Sequence, residues 1–582
     1  MAVRYEKKAM CALLLSLIMV ALSVAAAGDG DAPPSTPVSP TTACNDTTDP
    51  SFCRTVLPPG GSSDLYTYGR FSVARSLDSA RRFAGLVGRY LARHRGLSPA
   101  AVGALRDCQL MSELNVDFLS AAGATLRSAA DALPDPQADD VHTLLSAILT
   151  NQQTCLDGLQ AASSSWSERG GGGLAAPIAN GTKLYSLSLS LFTRAWVPTA
   201  KGSKHHGGGK KPHHGHGKKQ PAAAAASMRR GLFDAADGEM ARRVAMEGPE
   251  ATVAVNGVVT VDQGGGGNYT TVGDAVAAAP SNLDGSTGHY VIYVAGGVYE
   301  ENVVVPKHKR YIMMVGDGVG QTVITGNRSV VDGWTTFNSA TFAVVGQGFV
   351  AMNMTFRNTA GPSKHQAVAL RSGADLSAFY GCSFEAYQDT LYAHSLRQFY
   401  RRCDVYGTVD YVFGNAAVVF QSCAFLSRLP LPGQCNTVTA QGRSDPNQNT
   451  GTSIQGCSLL AAPDLAAAGD GGRTLTYLGR PWKNFSRTVV MESYVGGLVD
   501  PAGWMPWSGD FALDTLFYAE YNNSGPGADT SRRVAWPGYH VLGAGADAGN
   551  FTVTSMVLGD NWLPQTGVPF TSGFLTSDPP IS

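Results

Sequence analysis

Charge is scarce in this chain. Asp, Glu, Lys and Arg make up 15% of its 582 residues and sum to −1, so the overall balance names no partner and carries no mark of nucleic-acid binding. Long apolar runs are as few. Only Ala9 to Val24 approaches membrane length, and no other segment could span a bilayer. There is no Gly-x-Ser-x-Gly elbow and no His-Glu-x-x-His pair, which excludes the common serine-esterase and zinc-hydrolase routes. Beyond about Thr252 helical periodicity is scarce too, and this rules out a helical core for the larger half.

Glycine and proline are abundant instead, at 68 and 31 residues, as expected of turn-rich β structure joined by linkers. The length exceeds what one core supports, so at least two domains are expected. Arg4, Lys7 and Lys8 precede the Ala9–Val24 run and Ala25-Ala26-Ala27 follows it. Residues 1–27 therefore read as a secretion signal, with an uncleaved anchor as the alternative, and the destination is extracellular. Export permits disulfides among the nine cysteines that remain after Cys11 is removed. Residues 28–40, rich in Pro, Thr and Asp, are expected to be disordered.

Residues 41–200 carry helical spacing. Phe83, Leu86, Val87, Tyr90 and Leu91 repeat at three and four, as do Val141, Leu144, Leu145, Ile148 and Leu149. An antiparallel bundle is the natural packing. Cys44 and Cys53 are near enough to staple a hairpin, and Cys108 and Cys155 could join two long helices. Residues 201–249 form a Lys-, His- and Gly-rich stretch followed by alanines; lacking bulky apolar residues, it reads as a linker rather than a histidine metal site.

Residues 250–582 are β in texture, with short runs such as Tyr290-Val-Ile-Tyr-Val294 and Tyr311-Ile-Met-Met-Val315 between Gly and Asn. Within them Cys382-Ser-Phe-Glu-Ala-Tyr-Gln-Asp389 is followed 21 residues on by Cys403-Asp-Val-Tyr-Gly-Thr-Val-Asp410, and Cys423-Ala-Phe opens a third copy 20 residues later. A period near 20 in β sequence predicts a right-handed parallel β-helix of about ten coils, with equivalent positions stacked about 4.8 Å apart. Asp389 and Asp410 then face each other. Two adjacent carboxyls cannot both ionise freely, and such a pair divides into an acid and a base or nucleophile. Gln366 and Gln388, 22 residues apart, belong to adjacent coils as well.

The blocks Gly297-Val-Tyr-Glu-Glu301, Gln366-Ala-Val-Ala-Leu370, Tyr387-Gln-Asp-Thr-Leu-Tyr392, Gly407-Thr-Val-Asp-Tyr-Val-Phe-Gly-Asn-Ala416, Thr439-Ala-Gln-Gly-Arg443 and Leu478-Gly-Arg-Pro-Trp482 occur in that order. In these, residues 250–582 resemble plant pectin methylesterases. Cys44-Asn-Asp-Thr-Thr-Asp-Pro-Ser-Phe-Cys53 and Leu145-Ser-Ala-Ile-Leu-Thr-Asn-Gln-Gln-Thr-Cys155 resemble, more loosely, the pectin methylesterase/invertase inhibitor bundle, an all-α four-helix fold. The resemblance implies hydrolysis of the C6 methyl esters of galacturonate in cell-wall pectin. Asp410 is implied as nucleophile, Asp389 as acid and base, Gln366 and Gln388 as oxyanion donors, and Arg480 as the cation that orients Asp410.

The same resemblance gives Phe413 and Trp482 as faces for sugar rings and Thr336 as a substrate contact, with no metal or organic cofactor. It implies bridges Cys44–Cys53 and Cys108–Cys155. Stacking alone does not choose between 382–403 and 403–423; the family pattern favours Cys403–Cys423. A monomeric precursor is implied, whose bundle is a pro-region that inhibits or chaperones the enzyme. A processing protease would cut at Arg242-Arg243, with Met228-Arg-Arg-Gly231 as a second candidate, and separate inhibitor proteins are further possible partners. Ala386, Tyr411 and Val412 depart from the usual pattern without removing a chemical group. A pectin glycosidase or lyase on the same fold is the rival enzyme class, and a binding module acting through the bundle is the non-enzymatic one.

Overall fold

The computed structural model describes residues 33–93, 96–129, 131–162, 172–197, 253–468, 474–543 and 546–575. The expected signal, the linker and the Arg242-Arg243 processing site lie outside the described residues. Two short helices, α1 (Pro40–Cys44) and α2 (Pro50–Val56), open the described chain. Four long ones follow: α3 (Leu65–Ala92), α4 (Pro99–Ser128), α5 (Asp135–Ala161) and α6 (Gly172–Trp196). Their starts are set locally. Asp49 caps α2 ahead of Pro50, Asp64 caps α3 through Thr67 N at 2.6 Å, and Ser98 caps α4 ahead of Pro99. The apolar stripes face inward, with Val73, Ala80, Phe83 and Val87 of α3 buried against α4 and α6.

Cys44–Cys53 ties α1 to α2, and Cys108–Cys155 ties α4 to α5 across 47 residues. A loop of that length is worth about 4 kcal/mol in the chain-entropy picture. The segment expected to be disordered is in place from Pro33 onward. Val38 pairs with Ser63 in an antiparallel bridge, and the Ser39 hydroxyl accepts from Thr42 N at 3.1 Å, so local capping anchors it.

The second part is a parallel β-helix with three sheets of eleven, seven and eight strands. A short helix, α7 (Val272–Ala278), packs into its core through Val272, Ala275 and Val276. Equivalent residues stack in register: Leu370, Leu391, Val412, Thr439 and Gly479 are successive partners in the seven-stranded sheet. Inside, Phe379, Tyr400 and Phe420 form a rung-to-rung aromatic stack with centroids 4.7 and 4.6 Å apart. One corner of the coil is made by a single left-handed residue: Asn353, Gly381, Arg402, Ser422, Gly456, Glu492 and Asn522 all have φ between 49 and 60°.

Behind that corner Cys382, Cys403, Cys423 and Cys457 stack as a buried column. All four are free thiols, and Cys403 and Cys423 are not bridged. The physical reason is the stacking itself. Equivalent Cβ atoms on successive coils point the same way at the inter-strand spacing of about 4.8 Å, whereas a disulfide needs them converging to about 3.8 Å.

Candidate active site

The two aspartates stand at the entrances to neighbouring strands of the seven-stranded sheet, Leu391–Ala393 and Val412–Gly414. Both take the left-handed conformation, with φ of 63° at Asp389 and 52° at Asp410, one that Asp tolerates better than most residues. Past them the strands turn outward-facing side chains into a shallow floor on which Arg371, Tyr392, Phe413 and Ala440 are successive partners. Tyr392 and Phe413 stack with centroids 4.1 Å apart.

The two carboxyls are served very differently. Asp410 is gripped by the Arg480 fork, Nε to Oδ1 and Nη2 to Oδ2, each at 2.7 Å. It takes a further hydrogen bond from the Thr437 hydroxyl, also at 2.7 Å. Asp389 has no side-chain hydrogen-bond partner among the described residues. Burial, and after it the Asp410 carboxylate, raises Asp389 well above the usual carboxylate range, against a smaller opposing pull from Arg480. Asp410 is thus the carboxyl bound by the cation, while Asp389 is pushed toward its protonated form.

Asp389, Asp410, Gln366, Gln388, Arg480, Thr336, Phe413 and Trp482 all line one cavity of about 580 Å³. The glutamines sit on adjacent coils, Ala367 N donating to Gln388 O at 3.2 Å. Neither glutamine amide has a side-chain hydrogen bond within the described protein, so both are available to a ligand. Phe413 is 6% exposed, wedged between Tyr392 and the edge of Trp482.

Sequence reasoning missed several neighbours. Trp507 lies under the Arg480 guanidinium at 4.4 Å and Trp334 under that of Arg328 at 4.0 Å, and both tryptophans line the cavity. Thr437 went unnoticed although the register stacks it on Asp410. It lies 27 residues on, because a loop interrupts the 20-residue period.

The cavity has a second wall. Helices α4 and α5 lie across the cleft, and Asp107, Thr154, Asp157 and Gly158 line it opposite the aspartates. Met111 and Leu114 of α4 pack into one cluster with Phe337, Tyr392 and Phe413. Polar contacts surround that cluster. Asp107 accepts from Thr335 at 2.5 Å and from Asn338, Thr154 bonds His394 at 2.9 Å, and Thr150 accepts from Asn415 at 2.8 Å. Lys483 reaches Asp157 at 2.9 Å, and Arg397 pairs with Asp139 and Asp140 at 3.1 and 2.8 Å. Burial at this contact pushes Asp107 up to about 7, and lowers His394 to about 3 and His142 to about 4.

The Pectinesterase family profile matches residues 258–560, just over half the chain. The chain belongs to the pectinesterase family. Residues 39–191 match the plant invertase/pectin methylesterase inhibitor profile. Over 549 residues the chain is 53% identical to probable pectinesterase/pectinesterase inhibitor 41 of Arabidopsis thaliana, covering 92% of this chain and 95% of the relative. Over 543 residues it is 54% identical to probable pectinesterase/pectinesterase inhibitor 20 of the same plant. Among solved structures, pectin methylesterase from carrot is similar at 54% identity and a TM-score of 0.54, with 56% of this chain matching all of that one. This pectinesterase therefore joins an inhibitor-like bundle to an esterase β-helix in one polypeptide.

Proposed function

We propose that the pectinesterase hydrolyses the C6 methyl ester of galacturonate in pectin through an acyl-enzyme on Asp410. The unequal treatment of the two aspartates carries this reading: one is clamped by three donors, the other is buried with none. Asp410 attacks the ester carbonyl, and the oxyanion takes hydrogen bonds from the Gln366 and Gln388 amides. One such donor is worth about 3 kcal/mol in esterolytic sites. Collapse breaks the C6–methoxy bond as the leaving oxygen takes the Asp389 proton, releasing methanol. Asp389, now a carboxylate, removes a proton from water, which attacks the same carbonyl carbon. Product acid and free Asp410 result, and Asp389 regains its proton.

Trp334, Trp482 and Trp507 give the cleft aromatic faces for sugar rings, a usual way to bind carbohydrate without charge. Helices α4 and α5 line and pack against the cleft, which supports a bundle that inhibits the enzyme until it is cut from the β-helix. Secretion, cleavage at Arg242-Arg243 and the cell-wall destination belong to the same reading.

Hydroxylamine added during turnover by residues 246–582 tests the acyl-enzyme. The expected result is galacturonohydroxamate formed at the expense of free acid, with methanol release undiminished. Free acid alone at every hydroxylamine concentration would mean that water attacks the ester directly.

A further inference from the structure

Asp389 and Asp410 are two members of a longer column. Leu391, Val412 and Thr439 are register partners, so the residues two places before each, Asp389, Asp410 and Thr437, stack on three successive coils. The third member is neutral, 1% exposed, and held by two backbone bonds to the coil that carries Asp410: its N–H donates to Thr408 O at 3.1 Å and its carbonyl accepts from Tyr411 N at 3.2 Å. Its backbone is therefore fixed against the coil that carries Asp410.

That hydroxyl makes two bonds, both to Asp410. It accepts from the Asp410 backbone N–H at 2.7 Å and donates to Asp410 Oδ1 at 2.7 Å. The first bond occupies the hydroxyl as an acceptor, so its one proton must go to Oδ1. Arg480 Nε adds a second donor to Oδ1, whereas Oδ2 receives Arg480 Nη2 alone. The carboxylate is thereby made asymmetric. Oδ1 has two charge-stabilising donors and Oδ2 has one, leaving Oδ2 with the more available lone pair. The backbone bond also anchors Asp410 in its left-handed conformation.

We propose that Thr437 is a positioning residue for the reaction: it locks Asp410 in place and selects Oδ2 as the oxygen that bonds to the ester carbon. This rests on the esterase reading given above. Thr437 touches the nucleophile and not the substrate, so its loss falls on turnover rather than on binding.

The experiment compares methanol release from methylated pectin by residues 246–582 carrying Thr437→Val, Thr437→Ala or Thr437→Ser with the parent. The carrot enzyme, matched along its whole length by 56% of this chain, shows that such a β-helix exists without a bundle. In Thr437→Val kcat is expected to fall about 10- to 100-fold, the range for losing a hydrogen bond to a charged group, with KM within about twofold. Thr437→Ser should restore kcat to within about threefold. A purely structural role would lower the melting temperature without the selective loss of kcat that serine restores.

Should Thr437→Val fail to fold, the Ala and Ser variants isolate the hydroxyl. Equal kcat in those two overturns the proposal, as does a parental kcat in Thr437→Val. A parent that releases no methanol removes the esterase reading, and the proposal with it.

Discussion

Asp410 and Asp389 are one coil apart and chemically similar, yet their surroundings differ. Three donors converge on the first; the second is buried beside an anion. At this scale Arg480 is the residue to disturb. Lysine cannot reproduce a two-toothed grip, so Arg480→Lys is expected to cut kcat about 100-fold while the chain stays folded, read from methanol release beside thermal unfolding. Asp389 gives a pH prediction with a definite sign. In the proposed mechanism its acid form is needed for the first step, and that form persists above the ordinary carboxylate range, so the rate is expected to fall as pH rises through that raised value. Asp389→Asn should lower kcat about 10²- to 10⁴-fold and abolish that alkaline limb in the pH–rate profile.

At the scale of single elements, stacking explains both what could be read from the sequence and what could not. The 21-residue offset between Asp389 and Asp410 survives because nothing is inserted between those coils, and parallel pairing turns equal spacing into contact. The next coil is lengthened by a loop, and the third column member, Thr437, falls out of the period. Arg480 was legible only through its Arg-Pro-Trp block, since no spacing rule places a residue 70 positions away against Asp410. The cysteines show the opposite failure. Periodicity placed Cys382, Cys403 and Cys423 in one column, but proximity in a ladder does not give the convergent geometry of a disulfide. Five thiols, those of Cys382, Cys403, Cys423, Cys435 and Cys457, should therefore be alkylated when unreduced protein is denatured and analysed by peptide mass. Unmodified, linked peptides containing Cys403 and Cys423 would show the column to be oxidised.

Across the whole molecule, the contact between bundle and β-helix is built partly from groups that titrate. Docking holds His394, among Thr154, Phe337, Tyr392 and Arg371, and His142, against Asn447 and near Arg443 and Arg487, as neutral rings. Their docked values of about 3 and about 4 lie below the free value of about 6.5. Release therefore takes up protons, and acidification through that window loosens the contact. Asp107, faced by Thr335, Asn338 and Arg371, works the other way. Its docked value of about 7 exceeds the usual one, so acidification tightens the contact. Asp139, raised by burial beside Arg397, acts with Asp107. In Asp107→Asn the histidines should dominate. The activity of the uncut variant, as a fraction of that after cutting, should then rise relative to the parent between about pH 6.5 and pH 4. A ratio that stays level with the parent's would mean that these groups do not govern docking.

The nucleophile is the point on which the account depends, and one substitution reaches it. Asp410→Asn keeps the shape of the side chain, and Arg480 can still donate to its oxygen, but the carboxylate proposed to attack the ester is gone. Methanol release from methylated pectin by residues 246–582 should fall to the blank level in this variant and remain easily measured in the parent. Release by Asp410→Asn at a rate near the parent's would contradict the account, and would move the nucleophile elsewhere in the cleft.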